Sequence, residues 1–256
     1  MFVSCSTLCF SREPLESALR HIAELEFDKI ELAIVEGGNH LRPSEVAENV
    51  EAALHRLRRG PSSTPASLYL DFGDVDPGGP VLRKRFEAMC RLAKVLTVAV
   101  LTIPAAPLGH SFDDEVHRLT TLAGFAMREG LVLSVETHSK SLTADPAAAL
   151  ALCKAIPGLG LTLDPSHYVQ GPYKVMDVDA LYHYVQNIHL RDTGKRPGEF
   201  QVRVGQGEIE YNRVVNQLTR HGYDRGLTIS ILDRPEPPFE VEVEIRKLKL
   251  LLESLL

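Results

Sequence analysis

Eight short β-rich runs alternate with eight helical stretches along the whole chain. Such a pattern folds into a mostly parallel sheet backed by helices. The strand candidates are residues 2–5, 29–34, 67–72, 98–103, 131–137, 160–163, 187–190 and 227–232; helical periodicity covers 14–26, 43–58, 81–95, 112–128, 146–155, 178–185, 211–221 and 240–256. Spread over 256 residues, eight units take 32 residues each, the size of one strand–helix module with its crossover. Pro14, Pro43 and Pro146 fall near helix starts, Ser111 and Asp145 where N-caps belong, and Gly130 and Gly222 where helices should stop. An open nucleotide-binding sheet wants a glycine-rich turn after its first strand. Here that turn reads Ser6-Thr7-Leu8-Cys9-Phe10-Ser11, without glycine. The remaining architecture is a closed (β/α)8 TIM barrel, expected as a single domain over residues 1–256, with the loop at 60–65 on its bottom face.

Composition narrows the partners. The net charge is -6 and no basic footprint is present, which argues against nucleic acid. No run reaches the roughly 18 apolar residues of a membrane span. The N-terminus lacks a basic n-region, and the four cysteines are too scattered for a disulfide framework or a zinc site. A reducing, cytoplasmic location is expected; homo-oligomerisation is left open.

In such a barrel the chemistry sits at the C-terminal ends of the strands, and side chains alternate between faces. On strand five, Leu131, Leu133 and Val135 should pack on helices while Ser134, Glu136 and His138 point inward. On strand six, Thr162 and Asp164 point inward, with Pro165 ending the ladder and His167 following on the loop. On strand seven, Asn187, His189 and Arg191 point inward. Inward carboxylates are costly unless a cation or proton lies among them. Oxygen and imidazole ligands together suit Mn, Mg, Co, Fe or Zn, and a ligating His189 would need an acceptor on its other ring nitrogen. Taken singly, Glu136 reads equally well as an ion-pair partner, Asp164 as a turn former before Pro165 and His189 as a core histidine. Their convergence on one barrel end favours a site.

The segments Val135-Glu136-Thr137-His138, Leu163-Asp164-Pro165-Ser166-His167, Ile188-His189-Leu190-Arg191-Asp192 and Gly205-Gln206-Gly207-Glu208-Ile209-Glu210-Tyr211 resemble the xylose isomerase-like TIM-barrel superfamily. The likeness is to its sugar isomerase and epimerase branch, which also holds inosose dehydratases and is related to endonuclease IV. It spans essentially the whole chain. It implies one divalent metal (Mn, Mg, Co or Zn) held by Glu136, Asp164 and His189, and a small carbohydrate substrate. It further implies substrate contacts from His167 and from Glu31, the latter as a pocket-lining acid near the end of strand two. The Gly-x-Gly segment is expected at the pocket rim.

Strand eight departs from the pattern. It reads Leu227-Thr228-Ile229-Ser230-Ile231-Leu232-Asp233, and parity puts Ser230 where the resemblance implies a fourth, glutamate ligand; Asp233 has the wrong parity unless a bulge re-aims it. A hydroxyl is a poor ligand for a hard cation, so the fourth ligand is degenerate, and two-base epimerisation loses one base. One-base isomerisation through an enediolate, with Glu136 moving the proton, remains open. So do dehydration, with His167 or Lys140 as acid, and a catalytically impaired barrel that binds a ligand or partner without turnover. Arg191, with Lys195, Arg196 and Arg203, could meet a phosphate or carboxylate or be a solvated basic loop. His138 is expected as a substrate contact, His110 on a surface loop, and Phe72 and Tyr168 either beside a sugar or in the core. A three-zinc nuclease is disfavoured, because the segment Phe200-Gln201-Val202-Arg203 lacks Asp-x-His.

Overall fold

A computed structural model describes residues 1–61, 63–173 and 177–256; Ser62, within the expected 60–65 loop, lies outside these. The strands β1 (Phe2–Ser6), β2 (Lys29–Val35), β3 (Thr64–Asp71), β4 (Val100–Pro104), β5 (Val132–Glu136), β6 (Gly160–Leu163), β7 (Val185–Leu190) and β8 (Gly226–Ile229) close into one parallel barrel in sequence order. Around it lie α1 (Leu15–Glu24), α2 (Pro43–Glu48), α3 (Val50–Arg58), α4 (Pro80–Val95), α5 (Phe112–Arg128), α6 (Pro146–Ala155), α7 (Pro165–Gln170), α8 (Tyr211–Arg220) and α9 (Val241–Glu253). Among the described residues, no helix is long and apolar enough to cross a membrane.

Alternation sorts the strand residues into two layers. Leu32, Leu68, Leu101, Leu133, Leu161, Ile188 and Leu227 face the helices and are buried with the helices' apolar faces in one core. Each such side chain contributes about 1.5–3 kcal/mol on full burial. The inward layer is polar. Ser4 Oγ meets Thr228 Oγ1 at 3.0 Å, Thr228 donates to Asn187 Oδ1 at 3.1 Å, and Asn187 Nδ2 donates to Glu31 Oε2 at 2.7 Å and to Thr102 Oγ1 at 3.4 Å. Ser67 donates to Glu31 Oε2 at 3.1 Å, Thr102 meets Thr162 at 2.7 Å, and Thr162 donates to Ser134 at 2.9 Å. This network takes one residue from every strand. Because each of these buried groups has a partner, the barrel interior fixes register as well as filling space.

Two expected helices differ. The periodic stretch at 43–58 is broken at Asn49, whose extended backbone (φ -153, ψ 96) ends α2 while its side chain accepts from Ala52 N and caps α3. An asparagine supplies both the break and the new cap. The stretch at 178–185 is a 3-10 helix over Asp179–Tyr184 that leads straight into β7.

The Gly-x-Gly segment after β7 is held by one carboxylate. Asp192 Oδ1 accepts from Thr193 N at 2.9 Å, and Oδ2 accepts from Gly205 N at 2.7 Å and Gly207 N at 3.1 Å. A Cβ at Gly207 would collide with Asp192 Oδ1 and with the Thr193 carbonyl. We therefore expect Gly207→Ala to destabilise the protein by about 1–3 kcal/mol in thermal unfolding. At Gly37, where a Cβ meets nothing within 4 Å, alanine should stay within about 0.5 kcal/mol of wild type. Equal effects at both positions would refute the anchoring role of Asp192.

Candidate metal centre

The C-terminal ends of β5, β6 and β7 bring three of the expected residues to one spot. Glu136 closes β5, Asp164 follows β6 as the N-cap of α7, and His189 is the penultimate residue of β7. They are 7%, 0% and 1% exposed. Each offers one ligand atom, and these atoms lie within 4.8 Å of one another. One ion at about 2.0–2.6 Å from each ligand needs them no more than about 5 Å apart, so the spacing admits a single cation.

Glu31 takes a different place from the one the resemblance implies. It is the third residue of the seven in β2, away from the strand's end, and is 0% exposed. Its carboxylate lies under His189, whose Nε2 is 2.9 Å from Oε1 and 3.0 Å from Oε2. Burial works against the charged carboxylate, but attraction to His189 and hydrogen bonds from His189 and Asn187 outweigh it and hold Glu31 below the usual carboxylate range. The other ring nitrogen, Nδ1, is 3.1 Å from Glu136 Oε1. Burial disfavours a protonated His189, yet Glu31 and Glu136 raise its pKa well above the ordinary value. A proton on Nδ1, or a cation replacing that proton, reconciles this nitrogen with the carboxylate it faces. Glu31 thus supplies the acceptor that a ligating histidine needs on its far side.

Charge points the same way. Glu31, Glu136 and Asp164 are three buried carboxylates, and Arg191 is the one permanent cation paired with them among the described residues. Two negative charges remain; a divalent ion would balance both, whereas a proton on His189 balances only one. The residues present therefore fit such an ion.

Arg191 faces inward as its parity requires, but its terminal nitrogens are engaged by protein. NH2 donates to Asp164 Oδ2 at 2.6 Å and to His167 Nε2 at 3.1 Å, while NH1 donates to the Ser230 carbonyl at 2.9 Å. Three of its five N–H groups are thus taken up by the protein itself. Asp164 Oδ1 accepts from Ser166 Oγ at 2.5 Å and Ser166 N at 3.0 Å.

Because a guanidinium only donates, His167 Nε2 accepts, which puts the ring proton on Nδ1 facing Ser139 Oγ at 3.1 Å. Burial first, then Arg191, pushes the His167 pKa down to about 2, so the ring is neutral. An acid role for His167 would have to use the proton that faces Ser139. The ring lies against His138, with centroids 4.0 Å apart, and Phe200, at 5.5 Å. His138 is half-buried; its Nδ1 accepts from Lys140 N, and burial lowers its pKa. Lys140 is exposed.

Ser230 follows β8 and is 2% exposed. Thr228 pairs with His189 in register and hydrogen-bonds inside the barrel, so the parity of Ser230 is inward. Asp233 lies outside the centre, accepting from Arg12 N at 3.2 Å. His110 is exposed, and Tyr168 is buried with its hydroxyl on the Thr143 carbonyl. Phe72 helps line a separate cavity of about 330 Å³ between the loops after β3 and β4.

Sequence reasoning missed Tyr69, whose hydroxyl donates to Glu136 Oε2 at 3.2 Å. Burial first and Glu136 next raise its pKa well above the usual tyrosine range, so it remains a donor. Its signal was present: Ser67, Tyr69 and Asp71 share one parity on β3. Ser139 and Ser166 carry no such signal, since each acts from a loop or helix start.

A sequence profile described as "Xylose isomerase-like TIM barrel" matches residues 19–251. The uncharacterized protein MJ1311 of Methanocaldococcus jannaschii is 23% identical over 246 residues, covering 88% of this chain and 81% of that protein. The crystal structure of a D-tagatose 3-epimerase-like protein superposes with a TM-score of 0.73 at 22% identity, covering 100% of this chain and 98% of the other. A xylose isomerase-like TIM barrel protein from Mycobacterium smegmatis, solved in complex with magnesium, superposes with a TM-score of 0.74 at 17% identity, covering 99% and 97%. At these identities the solved structures establish the shared fold.

Proposed function

The chain belongs to the xylose isomerase-like TIM barrel family, and from that premise we propose that it is a divalent-metal-dependent isomerase or epimerase of a small sugar or polyol. The observation that carries this reading is the convergence of Glu136, Asp164 and His189 within 4.8 Å at the C-terminal mouth of the barrel. Those three residues would hold the ion, which could be Mn, Mg, Co or Zn. When bound, it would act as a Lewis acid toward a substrate carbonyl and lower the cost of an enediolate.

The chain's own groups do the rest. Glu136 Oε2, held by the Tyr69 hydroxyl, takes the proton from the carbon next to the carbonyl. Glu136, which keeps some contact with solvent, exchanges that proton in part with water before a proton is delivered to the neighbouring carbon on the same face. The hydroxyl proton passes from one substrate oxygen to the other through the enediolate, which completes a one-base 1,2-isomerisation. Ser230 offers no carboxylate on the far side, so stereochemical inversion by a second strand-eight base is not expected. His138 and His167, with their rings in tilted contact, form a neutral wall beside the centre.

The test is exchange of the substrate proton. Wild type with Mn should incorporate deuterium from D2O at the carbon α to the carbonyl in at least one member of a panel of aldoses, ketoses and inososes, read by NMR. Chelator should abolish it. Exchange in no panel member, or exchange indifferent to chelator, would contradict the assignment. A second reading, ligand binding without turnover, is favoured by one observation: Asp164 is already bound by Arg191. Under it, panel members bind without exchange.

A further inference from the structure

Arg191 bridges two strands at the centre. It reaches from Asp164, after β6, to the backbone carbonyl of Ser230, after β8, at 2.6 Å and 2.9 Å. The residue is 4% exposed, and its Nε is buried without a hydrogen-bond partner among the described residues. The other oxygen of Asp164 is held by Ser166. Both oxygens of one proposed metal ligand are thus engaged, one of them by a cation that stays charged at every accessible pH. Position 230 points inward within one hydrogen bond of the same guanidinium. A longer acidic side chain there would meet Arg191 before it met any ion between Glu136, Asp164 and His189.

We propose that Arg191 is the resident cation of the fourth corner of this centre. It balances Asp164 when no metal is bound, holds that carboxylate in place, and sets metal affinity by competing for Asp164 Oδ2. The inference rests on the metal-centre reading above. It makes two kinds of residue interdependent: a carboxylate at 230 can serve a metal only when position 191 carries no charge.

The experiment has two arms. In the first, Mn is titrated calorimetrically into wild type, Arg191→Met, Ser230→Glu and the double variant. Arg191→Met should bind Mn about tenfold more tightly than wild type, Ser230→Glu should lie within about threefold of it, and the double variant should gain a further tenfold or so, since affinity follows the ligand charge count. In the second arm, thermal unfolding in EDTA compares wild type, Arg191→Met, Asp164→Asn and their combination. Each single change leaves a buried group without its counter-charge, so each should lower Tm by roughly 10 °C, and the combination should recover at least half of the summed loss.

Weaker or unchanged Mn binding by Arg191→Met, or full gain from Ser230→Glu alone, would overturn the competition. Additive Tm losses would overturn the role of Arg191 as counter-charge to Asp164. If no variant binds Mn, the metal reading and the competition fail together, while the EDTA arm still decides whether Arg191 balances Asp164.

Discussion

Replacing Glu136 with Gln should lower the rate of substrate-proton exchange by about 10²–10⁴-fold and leave the barrel folded. Glutamine has the shape of glutamate and its amide oxygen can still accept from the Tyr69 hydroxyl, so the end of β5 stays in register. What disappears is the group that takes the proton and one of the two anionic ligands at the centre. Glu136 is also the ligand with the most contact with solvent, at 7% exposed against 0% for Asp164 and 1% for His189, and so the one that a substrate can reach. Circular dichroism and thermal unfolding would establish that the variant is folded. Exchange within about tenfold of wild type would remove Glu136 from the role of base.

Glu31→Gln should weaken Mn binding by about 10–100-fold, although Glu31 is fully buried and lies outside the ligand set. The reason is orientation and basicity: with an amide beneath it, His189 loses the anionic acceptor on Nε2 and its Nδ1 becomes a poorer ligand. The metal-free protein should also lose stability, on the order of 3–5 kcal/mol, because one partner of a buried charge pair is neutralised. The pH dependence has two signs. Glu31 titrates below its ordinary value of 4.5, so its contribution is present above that value and is lost as pH falls through the lowered folded pKa. His189 titrates above its ordinary 6.5, so its contribution is complete below that value and is lost as pH rises through the raised folded pKa. In Glu31→Gln both slopes of Tm against pH should flatten, measured in EDTA. Unchanged Mn affinity together with unchanged slopes would show that the contact between Glu31 and His189 does not govern the centre.

The barrel was legible because alternation of strands and helices is written in local pattern: strand parity sorted Leu133 from Ser134 and Ile188 from His189 without any knowledge of the fold. The break at Asn49 was hidden because apolar periodicity runs across it, and only the cap it forms on Ala52 separates α2 from α3. The positions of Glu136, Asp164 and His189 followed from parity and strand ends. Their partners did not. Glu31 meets His189 across 158 positions of sequence, and Tyr69 meets Glu136 across 67. Such contacts follow from how far each strand is shifted against its neighbours around the barrel, which alternation leaves undetermined. Arg191 is the clearest instance. Its inward parity was readable, but whether it faces a substrate or a neighbouring carboxylate depends on how the ends of β6 and β8 flank β7.

Anomalous diffraction from a crystal of the protein equilibrated with Mn tests the metal-centre assignment most directly. The expected result is one strong peak at about 2.0–2.6 Å from a carboxylate oxygen of Glu136, an oxygen of Asp164 and Nδ1 of His189, with Glu31 still on Nε2. No peak at that position, at Mn concentrations that label surface carboxylates elsewhere on the molecule, would contradict it.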